Sequence, residues 1–351
     1  MRIDSTKREN IKQYILEKIM QDHDDIPECV SNAFGITKGT YHNYIKELLS
    51  QNIIFKEKRG KYRLVNNFHT FDLKRSEGAM NSDTYGYNNC LSQFVDHLPG
   101  NVKRIWNYVF CEMYNNVIDH SGSENVHIMI QQNQMYTRVL LYDDGVGIFQ
   151  KIKDHFSFET LDDAICELFK GKLTTDPKNH SGEGIFFSSK MMDYFLIISS
   201  NKLFSCNNFT NGSISELNAE ESGLSTFMTG TAVVMTLMNN SLKEPIEIFD
   251  QYSSVDEGFF KTSIPLKYIG TSLVSRSQAR RVFNRLYQFS SVILDFDGVT
   301  DLFQGFAHEL FIVYPRSNPN LSMTIINMSE NVRKMYDHVI KTEERNKKGG
   351  E

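Results

Sequence analysis

The sequence has no Cys-x-x-Cys pair. Its five cysteines, at positions 29, 90, 111, 166 and 206, are scattered and odd in number, which argues against a disulfide framework and against a cysteine-held zinc cluster. A reducing compartment fits that usage. No basic, then apolar, then small-residue leader opens the chain, and no apolar run approaches the ~20 residues a membrane-spanning helix needs. The expectation is a cytoplasmic protein with no membrane partner.

What is present is enough for real cores: 351 residues, 40% hydrophobic and 12% aromatic, a length that allows two or three domains. Charge is uneven. Residues 1–67 hold 12 Lys+Arg against 9 Asp+Glu, a net of +3, so the remainder carries −8 of the overall −5. The contrast sharpens over residues 38–65, where Lys38, Lys46, Lys56, Lys58, Arg59, Lys61 and Arg63 face only Glu47 and Glu57.

The centre of the chain carries the chemistry. Glu112 and Asn116 are four residues apart and project from one face of a helix, with Asp119 and His120 extending it. Trp106, Val109, Phe110, Met113, Val117 and Ile118 form the opposite, apolar side. Mg2+ prefers oxygen ligands and takes few from protein, so Asn116 is a candidate metal ligand and Glu112 a candidate catalytic base. A solvated polar stripe is the plain alternative. Val126–Ile130 and Thr137–Tyr142 read as a strand hairpin. It ends in Asp143, Gly145 and Gly147, a tight turn able to approach a ligand, with Asp143 as acceptor for a purine amino group; a simple Asp-Gly turn is the other reading. His180, Ser181, Gly182 and Gly184 open a further helix, where free amides and the helix dipole favour phosphates. Lys172 is the candidate for a terminal phosphate, and residues 150–180 are expected to form a lid. A polar excursion over 207–226 separates strands at Phe195–Ser199 and Gly230–Leu237.

Taken in order, Glu112-x3-Asn116, Asp143-x-Gly145-x-Gly147, Gly182-x-Gly184 and Gly230-Thr231 resemble the four boxes of the GHKL ATPase superfamily. The sub-pattern is most similar to the anti-sigma-factor serine kinases. Over about residues 100–238 the resemblance implies ATP and Mg2+ as cofactors, Asn116 holding Mg2+, Asp143 reading adenine, Thr231 near the adenine, and glycines bounding a mobile lid.

Upstream, residues 8–20 have helical period, with Ile11, Tyr14, Ile15 and Ile19 facing one way. Pro27 and Gly35 bracket a second helix, and Thr37 caps a third over Lys38–Leu49. Its exposed side is expected to offer Lys38, Thr40, Tyr41, Asn43 and Tyr44, and a hairpin turning at Lys58 and Arg59 follows. Three helices and a basic hairpin resemble a winged helix-turn-helix, which implies double-stranded DNA as partner or, alternatively, a protein-interaction role. Residues 68–100 read as a polar connector with a short helix at Leu91–Leu98.

Beyond Pro245, strands at 260–269, 291–296 and 322–327 alternate with helices at Ser275–Phe289, Phe303–Val313 and Glu330–Thr342, an α/β layer pattern. This third resembles the STAS-like domain of unknown function and, more distantly, the anti-sigma-factor antagonists. Where those antagonists carry a phosphorylated serine, Gln304-Gly305 stands, with Thr300 nearby. Val292–Thr300 also resembles the nucleophile motif of haloacid dehalogenase phosphatases, but about fifty residues remain after it and no Asp-Asp pair follows, so Asp295 and Asp297 read as solvent-facing acids at a strand end.

The expected fold is α+β and multidomain: a winged helix (1–67), a connector (68–100), a GHKL α/β sandwich with helices on one face of a mixed sheet (101–240), and a STAS-like domain (241–345). The expected function is an ATP-binding, ATP-hydrolysing regulator that couples nucleotide state to DNA binding. The alternatives are a serine/threonine kinase acting on a partner protein and a binding module with structural ATP. A homodimer follows by analogy only.

Overall fold

The computed structural model describes residues 5–176, 181–207, 210–216 and 229–348. Helices α1 (Ser5–Met20), α2 (Ile26–Phe34) and α3 (Lys38–Ser50) precede an antiparallel hairpin of β1 (Ile54–Lys58) and β2 (Lys61–Leu64). The helical period of Ile11, Ile15 and Ile19 buries one stripe of α1 against Val30, Tyr41, Tyr44, Ile45 and Leu48. Pro27 lies in the first turn of α2, Gly35 ends it at φ 65°, and Thr37 caps α3 by accepting from Thr40 N at 3.2 Å.

Tyr41 and Tyr44 depart from the expected exposed face, being 2% and 5% exposed. With Ile45 and Leu48 they make the i, i+3, i+4, i+7 stripe by which α3 packs on α1. The aromatic area is worth more inside that core than at the surface.

The expected connector is also different. Asn67–Lys74 is a strand, β3, pairing antiparallel with β4 (Asn125–Gln132) from Asn67↔Gln132 to Lys74↔Asn125. It is the edge of a seven-stranded antiparallel sheet of order β3-β4-β5-β9-β6-β7-β8. Here β5 is Tyr136–Asp143, β6 Tyr194–Ser199, β7 Lys202–Asn207, β8 Thr210–Glu216 and β9 Thr231–Met238. The expected excursion therefore contributes strands, while residues 208–209 and 217–226 of it lie outside the described residues.

The Gly100–Asn116 helix buries Val102, Ile105, Trp106, Val109, Phe110 and Met113 against Ile128, Ile130, Val139 and Leu141 of β4 and β5. Each such side chain contributes roughly 1.5–3 kcal/mol of burial. The stripe fixes the helix's rotation, leaving Glu112 and Asn116 on its half-buried flank.

At the C-terminal side, strands Lys261–Pro265, Ser291–Asp295 and Ser322–Ile326 form a parallel sheet with Ser291–Asp295 central. The expected helix over Ser275–Phe289 breaks: Arg276–Phe283 is helical, Arg285 adopts φ 58°, and a single tight turn spans Leu286–Gln288. Asp295 is buried rather than solvent-facing, accepting from Asp297 N and Asn327 Nδ2 at 2.9 Å each, whereas Asp297 is exposed and pairs with Lys267 at 3.5 Å. Phe259 packs on Phe186, Phe187 and Phe289 at ring distances of 4.8, 5.1 and 5.3 Å, so this sheet and the seven-stranded one share a continuous core. Among the described residues no helix is long and apolar enough to cross a membrane.

Candidate functional site

Strands β5 and β9 set the floor of the site, because Asp143 and Thr231 are direct cross-strand partners. Asp143 is 3% exposed and its Oδ1 accepts from Gly145 N at 2.9 Å. Burial pushes its carboxyl up to about 6, against the pull of the Gly145 amide. The neighbouring Asp144 is turned outward and exposed. Its hydrogen bonds with Ser123 and with Asn125 Nδ2, the latter at 2.9 Å, hold its carboxyl low. Of the acidic pair only Asp143 faces the cavity. Thr231 Oγ1 accepts from Ile148 N at 3.0 Å and so fixes the start of the Ile148–Phe156 helix to the sheet.

Two glycines are dictated by close approach. A Cβ on Gly230, which sits at φ 75°, would strike the Asp143 carbonyl oxygen. A Cβ on Gly184 would occupy the place of Glu112 Oε2, so the glycine lets that carboxylate lie over the first residue of the Gly184–Met191 helix. Helix starts favour anions, which suits the position.

These elements enclose a cavity of about 330 Å3. Of the sequence-predicted residues, Glu112, Asn116, His120, Asp143, Gly147, Ser181, Gly182, Gly184 and Thr231 line it. Its walls are Leu141, Ile152, Leu168, Leu173, Ile185, Ile197 and Val233, an apolar cleft with a few convergent polar groups, the usual character of a small-molecule site. Asn116 Nδ2 rests 4.0 Å from Met113 Sδ. Asp119 is exposed and does not line the cavity, and Gly145 stands behind it against the Ser121 carbonyl. His180 lies outside the described residues, as do residues 177–179 of the expected lid.

Lys172 is the clear correction. Its Nζ donates to the Gln288 carbonyl at 2.8 Å and lies 5.5 and 4.9 Å from the Phe259 and Phe289 rings, so it faces the C-terminal sheet and not the cavity. Lys172 has φ 55°, a turn that points its stem away from neighbouring Leu173 and Thr174, which do line the site. The residue missed by sequence reasoning is Lys151, which lines the cavity. It lies one helical turn after Gly147, whose carbonyl accepts from its amide at 3.1 Å; that i, i+4 step from the second glycine was the available signal.

Leu168 brings the Leu161–Lys170 helix to the wall of the cavity, and that helix is bound on another side. Lys170, 2% exposed, donates to Glu167 Oε1 at 2.5 Å and to the carbonyls of Arg281 and Asn284 at 3.2 and 3.0 Å. Arg285 stands 3.6 Å from Glu167 and donates to the Lys172 carbonyl, and Arg281 pairs with Asp163. Burial lowers the Lys170 pKa and raises that of Glu167.

Residues 278–333 match the family model described as the STAS-like domain of unknown function (DUF4325). The C-terminal segment is STAS-like. No curated protein matches the chain. The STAS-like segment therefore supplies Arg281 and Arg285, which hold the Leu161–Lys170 helix, and Gln288, which holds Lys172.

Proposed function

We propose that this chain binds Mg-ATP in the cavity between β5, β9 and the Gly100–Asn116 helix, as a GHKL-type nucleotide domain, and uses nucleotide state to regulate DNA binding by an N-terminal winged helix. The observation that carries the reading is convergence. Residues as far apart as Glu112, Asn116, Asp143, Gly184 and Thr231 meet on one cavity whose size suits a small ligand. In the proposal Asp143 accepts from the adenine amino group beside Thr231, and the segment through Ser181 and Gly182 surrounds the phosphates. One protein oxygen suffices for Mg2+ when phosphates supply others, so Asn116 fits as its ligand although no cluster of three acidic, His or Cys residues exists among the described residues. The ion would neutralise phosphate charge, and Glu112 would orient or deprotonate a water.

Coupling is supported by the Leu161–Lys170 helix: Leu168 lines the cavity while Glu167 and Lys170 face the STAS-like segment, so closure over a nucleotide strains or relieves that contact. DNA binding is supported by the exposed Lys38, Asn43 and Lys46 of α3 and the exposed Lys58 and Arg59 of the hairpin turn, with Thr40 half-buried at the cap.

The test is nucleotide binding and Mg-ATP turnover by the pure protein beside Glu112→Ala and Asn116→Ala. Turnover lost in Glu112→Ala with binding kept makes the chain an ATPase switch. Asn116-dependent binding without turnover leaves a kinase acting on a partner protein or structural ATP, and no binding refutes the reading. Unchanged DNA affinity with and without ATP at fixed salt refutes the coupling.

A further inference from the structure

We infer that Lys151, not Lys172, is the side chain that recognises the phosphate end of the ligand. The inference rests on nucleotide binding in this cavity and adds the group that selects a charged nucleotide over the bare nucleoside. Glu112, Asp143 and Lys151 are the Asp, Glu, Lys and Arg residues lining the cavity among the described residues. A polyphosphate brought against two carboxylates is matched by a positive side chain as well as a metal ion, and among the described residues Lys151 is the one that lines the cavity.

Its position is held from both ends. The backbone amide donates to Gly147 O at 3.1 Å, in the first turn of the Ile148–Phe156 helix, whose leading amide is tied to Thr231. The ammonium donates to His120 O at 2.6 Å, in the wider turn Val117–Ser121 that continues the Gly100–Asn116 helix. An ammonium has three donors, so this bond leaves two. The carbonyl at a helix end also favours a cation there. Lys151 and Asn116 line the same cavity as Asp143 and Thr231, so the charge is available to phosphates and their metal while Asp143 and Thr231 read the base.

The bland account is a tether joining two helices, and the two accounts differ in what they select. Adenosine, ADP and Mg-ATP are titrated into the wild-type chain, Lys151→Met and Lys151→Arg, with thermal unfolding recorded for each. The expected result is that Lys151→Met loses roughly 10- to 100-fold in affinity for ADP and Mg-ATP, the scale of one charge-assisted hydrogen bond, with adenosine affinity unchanged and Lys151→Arg restoring part of the loss. Equal loss for adenosine and ATP, or no loss for ATP, overturns the assignment in favour of the tether. A folded wild-type chain that binds none of the three overturns the nucleotide reading, and the inference with it.

Discussion

Replacing Lys170 with Met removes one charge from the contact between the cavity wall and the STAS-like segment while nearly conserving volume. All three ammonium donors are satisfied, by Glu167 Oε1, Arg281 O and Asn284 O, in a side chain that is 2% exposed. Breaking a buried pair by removing one partner costs about 3–5 kcal/mol. Arg285, still 3.6 Å from Glu167 Oε2, keeps part of the compensation, which puts Lys170→Met near the lower end, about 3 kcal/mol. Removing both charges, in Lys170→Met with Glu167→Met, takes away the stranded carboxylate and should recover most of the loss. Urea unfolding can be followed through Trp106, the single tryptophan, fully buried in the central core. The pH dependence has a definite sign. Burial already raises the Glu167 carboxyl, so without Lys170 it contributes stability below the ordinary carboxylate range that is lost as pH rises through its folded value. The deficit of the single variant should therefore be largest at alkaline pH and shrink on acidification. A single variant within about 0.5 kcal/mol of wild type, or a double variant no better than the single, would mean that the buried pair does not hold this contact.

Asp143 gives a second titration: with its carboxyl raised to about 6, its favourable contribution is full below about 4 and is lost as pH rises through 6, so Asp143→Asn should flatten the stability–pH curve between those values, measured by urea midpoints. Gly184→Ala places a methyl where Glu112 Oε2 lies; a flexible carboxylate can move, so stability should change by less than about 1 kcal/mol while Mg-ATP turnover drops sharply, and retained turnover would exclude Glu112 from its assigned role. Tyr41→Ala should cost about 3–5 kcal/mol in stability because the ring is core, whereas Lys58→Ala should leave stability alone and lower the salt slope of DNA binding by about 1, both read from urea unfolding and salt-titrated binding.

The parts legible in the sequence are those with a single local cause. The 3.6-residue period of Val102 to Met113 fixes a helix and so the flank on which Glu112 and Asn116 stand. Period-two alternation in Val126–Ile130 and Thr137–Tyr142 fixes the strands that end at Asp143. The rest needed tertiary information. Strand β3 reads as polar linker because an edge strand is mostly exposed, with Phe71 and Leu73 half-buried and Phe71 in edge contact with Phe94 at 6.3 Å. The break after Phe283 depends on Lys170, more than a hundred residues away, which binds the carbonyls of Arg281 and Asn284. Lys172 looked like a phosphate ligand because its neighbours belong to the site; its own direction is set by Gln288, Phe259 and Phe289.

The edge strand also decides where the chain can be cut. Only Val65 and Asn66 separate β2 from β3, and Asn66 Oδ1 accepts from Asn133 Nδ2 at 2.8 Å, while Met135, Tyr136 and Met238 pack into the N-terminal core. A fragment begun at residue 75, inside the stretch that reads as a polar connector, strips β4 of its outer neighbour and leaves an open row of amides and carbonyls, a template for pairing with other chains. A fragment begun at Asn67 keeps the sheet whole yet uncovers Met135. The head of this molecule is a splice into the sheet, not a pendant on a string, and a dissection that respects it has to retain the strand and replace Met135 with a polar residue.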